Sequence, residues 1–147
     1  MSHTATRSPV GSSTRPSTGS GTNLLRRALQ IDFVITGLCT LPLLLAAEPL
    51  AAVTGLPVLL IRGSGMIFIP FLALVGWLAT RQDPPRSAVW LVVALNAGWA
   101  VGSAILLASG LLSPTGLGYA LVIVIALAVV VFAELEFVGL RRALTDG

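Results

Sequence analysis

The sequence predicts an all-α protein, a transmembrane up-down-up-down four-helix bundle preceded by a disordered N-terminal tail. Three observations carry that expectation. Of 147 residues 55% are apolar and 10% charged, whereas a soluble domain carries roughly 25% charge; so few charges cannot cover a water-facing surface. The apolar residues fall into four runs, each near the length of about 20 residues that crosses a bilayer core. Six of the nine arginines stand beside the ends of those runs, and they do so in alternation.

Residues 1–22, MSHTATRSPVGSSTRPSTGSGT, are mostly Ser, Thr, Gly and Pro. Such a segment buries too little to offset its ordering entropy and is expected to be a disordered cytoplasmic tail. Residues 23–143 form the expected four-helix domain, with 144–147 as a short C-terminal end. The first span is about 28–47 (ALQIDFVITGLCTLPLLLAA) and the second about 57–80 (PVLLIRGSGMIFIPFLALVGWLAT). The third is about 88–108 (AVWLVVALNAGWAVGSAILLA) and the fourth about 117–139 (LGYALVIVIALAVVVFAELEFVG). A helix is the one open element that satisfies its own backbone in lipid. The connections EPLAAVTGL, RQDPPRS and SGLLSPTG are short, which makes successive helices antiparallel.

Orientation follows from Arg26, Arg27, Arg81, Arg86, Arg141 and Arg142, which all fall on one side of such a bundle. The positive-inside rule makes that side cytoplasmic, with both termini inside. Trp77 and Trp90 near that side and Tyr119 near the other suit an aromatic belt. Nine arginines without a lysine, together with abundant Ala, Leu and Gly, suggest a GC-rich bacterial genome and thus a bacterial inner membrane. Arg26-Arg27 before an apolar run that ends LLLAAEP could instead mark a secretory signal cleaved after Ala47. The run is longer than a typical signal core and its preceding tail is long, so a first membrane helix is the better reading. LLLAAEPLAAVTGLP at 43–57 resembles ILLASGLLSPTGLG at 105–118, with TGL recurring 61 residues apart. A true duplication would relate two hairpins by an axis along the membrane normal.

Polar residues inside the runs are the functional candidates, because a charge at a helix centre costs roughly 2.5–3.5 kcal/mol on the insertion scale. Asp32 lies about 7 Å from the cytoplasmic end of the first span at 1.5 Å per residue, and Arg62 lies at similar depth from the outer end of the second. Arg62 can snorkel along its stem; Asp32 cannot reach far. Glu134 and Glu136 are two residues apart, about 200° around a helix, so they cannot face the same neighbour. Greater depth makes Glu134 the expected inward residue and Glu136 the one at the interface. Asp32 and Glu134 facing each other would form a carboxylate pair that shares a proton, open to the cytoplasm. Asn96 is the most central polar residue and shares a face with Trp99, Ala100 and Ser103; an interhelical clamp is its expected role. Asp32, Arg62, Asn96 and Glu134 therefore form the candidate intramembrane site. Ala94, Gly98 and Gly102 make a small-residue face for close packing, on span two or on a second protomer.

The lone histidine (His3) and lone cysteine (Cys39) leave no metal-ligand set. No nucleophile–base pair or phosphate loop is present, so no catalytic residue, cofactor or enzymatic activity is expected. The arginines flank apolar runs instead of forming a basic face, so nucleic acid is not an expected partner. The expected partners are the lipid bilayer and a second copy or another membrane protein.

Four segments carry a resemblance: PLAAVTGLP leading to Arg62-Gly63, NAGWAVGSAILLASG, SPTGLG and FAELEFVGLRR. With them the chain resembles small bacterial four-helix integral membrane proteins and is similar in layout to DoxX-like proteins over about residues 24–143. The resemblance implies architecture; the redox association of DoxX-like proteins has no recognisable cofactor residues here. The expected role is a non-enzymatic accessory or interaction subunit. The alternative is a small oligomeric transporter or proton-coupled carrier that uses the intramembrane carboxylates. A subunit handling quinone or haem is third, and no span supplies a histidine for haem.

Overall fold

The structure, a computed structural model, describes residues 20–145. Residues 1–19, which hold most of the expected tail and His3, and residues 146–147 lie outside the described residues. Five helices follow in order: α1 (Ser20–Leu45), α2 (Ala47–Thr54), α3 (Val58–Ala79), α4 (Arg86–Ala108) and α5 (Gly116–Thr145). All but α2 are long and apolar enough to cross a membrane.

Two boundaries correct the sequence reading. The first and last helices run well beyond the apolar stretches that reveal them. α1 begins at Ser20, inside the segment expected to be tail, and α5 continues through Arg141 and Arg142 to Thr145. These polar ends pack on each other, with Gly21 against the backbone of Arg142 and Ala143. Arg142 in the last turn also suits the negative end of the helix dipole. The connection EPLAAVTGL is not a loop: it forms α2, separated from α1 by Ala46 alone. α2 ends where Gly55 takes φ +69°, the left-handed cap that a side chain would strain. Both α3 and α4 start directly after a proline (Pro57, Pro85), whose fixed φ and missing N–H suit a helix entry. α1 and α3 run on through Pro42 and Pro70.

The long helices alternate in direction. Phe33 meets Gly76 while Leu44 meets Gly65, so α3 runs antiparallel to α1. Trp90 stacks edge-on against Phe137 at 5.5 Å between centroids, near the start of α4 and the end of α5. α1 packs extensively on α3 and α5, and α4 on α5, whereas α3 and α4 approach each other much less closely. One core, around Leu25, Leu29, Val75, Leu78, Val89, Val92 and Leu140, ties all four long helices together at the end where the six flanking arginines stand. A second core, around Leu43, Ala47, Leu56, Ile61 and Phe68, closes the other end beneath α2. There the α4–α5 loop is pinned to α2, Thr115 donating from its backbone N to Thr54 O at 2.8 Å and from its hydroxyl to Val53 O at 2.8 Å. Arg81 lies over the Trp77 ring at 4.5 Å from its centre. Trp77 and Trp90 are exposed at the arginine end and Tyr119 at the other, as an aromatic belt requires.

Candidate functional site: a buried carboxylate–amide cluster

The inward face of each helix decides which polar groups meet. On α1 the buried residues are Gly21, Leu25, Ala28, Leu29, Asp32, Thr36, Thr40 and Leu43, one stripe at three- and four-residue spacing. On α5, besides Gly118 near its start, they are Val129, Phe132, Ala133, Glu136, Gly139 and Leu140, again one stripe. Asn96 follows Val89 and Val92 on the buried face of α4. Where the three stripes converge, the side chains of Asp32, Asn96 and Glu136 close on one another.

Asp32 and Glu136 are each 0% exposed and Asn96 is 3% exposed. The Thr36 hydroxyl donates to Asp32 Oδ1 at 2.8 Å. The Asn96 amide donates from Nδ2 to Asp32 Oδ2 at 3.4 Å and to Glu136 Oε2 at 3.4 Å, so one amide spans two carboxyl groups. Those two contacts are long for hydrogen bonds to carboxyl oxygens. Asp32 and Glu136 thus share the Asn96 amide as a common neighbour. Glu136 Oε1 is buried and accepts from no group. Among the described residues no arginine pairs with either carboxyl group; the single ion pair joins Arg62 to Glu48 near the far end.

What brings α5 so close to α1 is Gly139. A Cβ there would sit 2.8 Å from Leu25 Cα, so only hydrogen fits between the two backbones. Three residues from Gly139 on α5 and seven from Leu25 on α1, Glu136 and Asp32 both meet the Asn96 amide.

The cluster lies within the spans, towards the arginine end. Asn96 is roughly 15 Å along α4 from Arg86, whereas Asp32 and Glu136 are each roughly 7.5 Å inward of Arg27 and Arg141, at 1.5 Å per residue. Phe33, beside Asp32, meets Gly76 near the end of α3, and Phe137, beside Glu136, meets Trp90 near the start of α4.

Two sequence expectations are corrected. Glu134 is exposed on the outside of the bundle and Glu136 is the inward carboxylate, the reverse of the expected assignment. Depth was the wrong criterion; the spacing of Glu136 to Ala133 and Gly139, small residues that allow close packing, carries the signal. Arg62 stands apart from the cluster, its side chain 47% exposed and paired with Glu48 of α2. Thr36 was missed, although it stands four residues after Asp32 and can therefore bond to it along the helix. Asp32 and Asn96 fall where the candidate site requires them. Ala94, Gly98 and Gly102 lie on the exposed side of α4, and a Cβ on either glycine would meet nothing. That face does not pack span two. No group of three or more His, Cys, Asp or Glu is placed to hold a metal ion among the described residues.

Beside the cluster, α3 and α4 stand apart around a cavity of about 330 Å³. Phe68 and Trp99, 4.6 Å between ring centroids, bridge the two helices on one side of it. Val75 and Leu78 meet Val89 and Val92 on the other side. Ile67 and Leu95 line the cavity yet are 60% and 46% exposed, so it opens sideways between the helices, towards where lipid would lie. Thr36 and Asn96 are its polar lining residues, and both are hydrogen-bonded to the carboxyl groups behind them.

No protein family, characterised protein or solved structure matches the chain. The class that the fold and site define is a multi-pass membrane protein with a buried carboxylate–amide cluster.

Proposed function

We propose that the chain is a small proton-coupled carrier of a bacterial inner membrane, with both termini in the cytoplasm. The observation that carries this reading is Glu136 Oε1, fully buried beside Asp32, without a hydrogen-bond donor and without a basic partner. An uncompensated ion in a protein interior costs several kcal/mol, so two neighbouring carboxyl groups need protons or other cations to offset their charge. Structural polar groups are normally satisfied. A group left unsatisfied within a membrane span is the kind that marks an ion or proton path. The six arginines gathered at one end support the cytoplasmic placement of that end. Likeness to DoxX-like proteins rests on short motifs and supports the layout alone.

Infrared spectroscopy of the protein in lipid vesicles tests the proton site. The carboxylic C=O stretch of the wild type should respond to external pH, change in Glu136→Gln and Asp32→Asn, and persist in Glu134→Gln. Identical spectra for wild type and Glu136→Gln would remove the reading.

A non-enzymatic accessory subunit is the second reading, favoured by the outward small-residue face of Ala94, Gly98 and Gly102, which suits a neighbouring helix. Purification from the native membrane in mild detergent separates the two. A stoichiometric protein partner supports the accessory role, and a homo-oligomer with no other protein supports the carrier.

A further inference from the structure

We propose that the cavity between α3 and α4 binds a lipophilic organic monocation that enters from the bilayer and displaces a proton from the Asp32–Glu136 pair. The inference rests on the proton-site reading above and adds the chemical class of its ligand.

Four features of the cavity point the same way. Its volume of about 330 Å³ lies at the lower end of small-molecule pockets, roughly 300–1,000 Å³. Its lipid-side mouth between Ile67 and Leu95 admits a molecule dissolved in the membrane. Three of its lining residues, Phe68, Phe71 and Trp99, are aromatic, and aromatic faces attract cations, more strongly where water is absent. Its two polar lining residues, Thr36 and Asn96, are themselves bonded to carboxyl groups, so the polar end of the cavity lies in the field of two acids.

Among the described residues, no cationic side chain lines the cavity. From α1 the ionisable groups near the cavity are Asp32 and the half-buried Cys39; from α5 it is Glu136. α4 contributes Asn96, its arginine standing at its first residue. α3 contributes apolar side chains to the cavity, and its Arg62 is held by Glu48 near the other end. An anion would meet two acids with no compensating cation, and a neutral molecule would leave the field unused. A monocation that enters as one proton leaves keeps the charge of the site constant. Glu136 Oε1 is the free acceptor on which that charge can act.

Ethidium tests this directly, because it is aromatic and carries a charge that pH cannot remove. Its fluorescence rises in an apolar site, and the uncharged 6-phenylphenanthridine serves as the neutral comparison. The full-length protein is used in detergent micelles or lipid nanodiscs. Ethidium should bind saturably and more tightly as pH rises across the neutral range, approaching about tenfold per pH unit where one proton is displaced. Glu136→Gln should weaken binding at least about tenfold and abolish its pH dependence. Ile67→Trp, which fills the mouth without touching the carboxyl groups, should weaken binding while leaving the carboxylic infrared band intact; it carries the test if Glu136→Gln does not fold. Ethidium binding that ignores pH, is unchanged in both variants, or is matched by the neutral ring overturns the proposal. A pH-responsive carboxylic band without ethidium binding rejects the ligand class and leaves the proton site standing. A silent band removes both.

Discussion

Replacing Glu136 with methionine should leave the protein as stable as the wild type or more so, by about 1 kcal/mol. Glu136 Oε1 is buried without a partner, and an unsatisfied buried polar group costs about 1–3 kcal/mol. Methionine removes that penalty at similar volume and length. It also removes the contact from Asn96 to Glu136 Oε2, which at 3.4 Å is long; interhelical hydrogen bonds in membranes average about 0.6 kcal/mol and reach about 1.7. The difference favours methionine. Asp32→Leu should behave oppositely and lose about 1–2 kcal/mol, since Asp32 accepts from both Thr36 at 2.8 Å and Asn96. Reversible unfolding in mixed detergent micelles, followed by helix signal, measures both. Glu134→Met is the exposed control and should stay within about 0.5 kcal/mol of wild type. A Glu136→Met protein weaker than wild type by more than about 1 kcal/mol would show that Glu136 is a structural clamp, and the reasoning from its unsatisfied oxygen would fail. A stable Glu136→Met protein with no carboxylic response to pH would show stability given up for a working group.

Two further outcomes follow from the packing. Gly139→Ala places a Cβ 2.8 Å from Leu25 Cα, forcing α1 and α5 apart; the same unfolding assay should show a loss of about 1–3 kcal/mol, with the carboxylic infrared band displaced as Asp32 and Glu136 separate. Arg62→Ala tests the exposed pair with Glu48, whose carboxyl is held below its ordinary range first by its own backbone amide and then by Arg62. A lowered carboxyl contributes stability above its ordinary range and loses it as pH falls through the folded value, so the small difference between Arg62→Ala and wild type should vanish in acid, and a difference that persists there rules out the ion pair as its cause.

The four long helices were legible because lipid imposes a length and an apolar composition that few other constraints reproduce. Their ends were not, because a helix can outrun its apolar run when polar residues pack against a neighbour, as Gly21 does against Arg142 and Ala143. α2 was hidden in a connection short enough to read as a loop. Asp32 and Asn96 were legible as buried polar residues from composition alone. The choice between Glu134 and Glu136 turned on which face of α5 is inward, and a helix rich in Val, Ile and Leu all round hides that face. The deciding residue, Gly139, acts through its lack of a side chain, which hydropathy does not register.

The two TGL segments touch in the structure. Thr54 and Thr115 begin the two copies, and the second donates its backbone N–H to the carbonyl of the first. Copies related by an axis along the membrane normal would meet reciprocally, whereas this contact runs one way: the first TGL closes α2 with Gly55 at φ +69° and the second opens α5 at Gly116. The same axis would carry α1 onto α4 and α3 onto α5, so the α1–α5 seam and the α3–α4 seam would be equivalent. They are not equivalent. Gly139 lets α5 close on α1, while the residue that the TGL register sets against it on α3 is Leu78, whose bulk fills the core between α3 and α4. In that register Glu136 corresponds to Val75 and Asp32 to Val93. One seam is therefore closed and acidic, the other apolar and open at its centre. A duplicated pair of hairpins that kept both seams alike would have either two closed seams with no way in from lipid or two open ones with no buried carboxyl pair. On the carrier reading proposed above, the closed seam is the one that would hold the proton and the open seam the one that would admit the ligand, and a coupled exchange needs both.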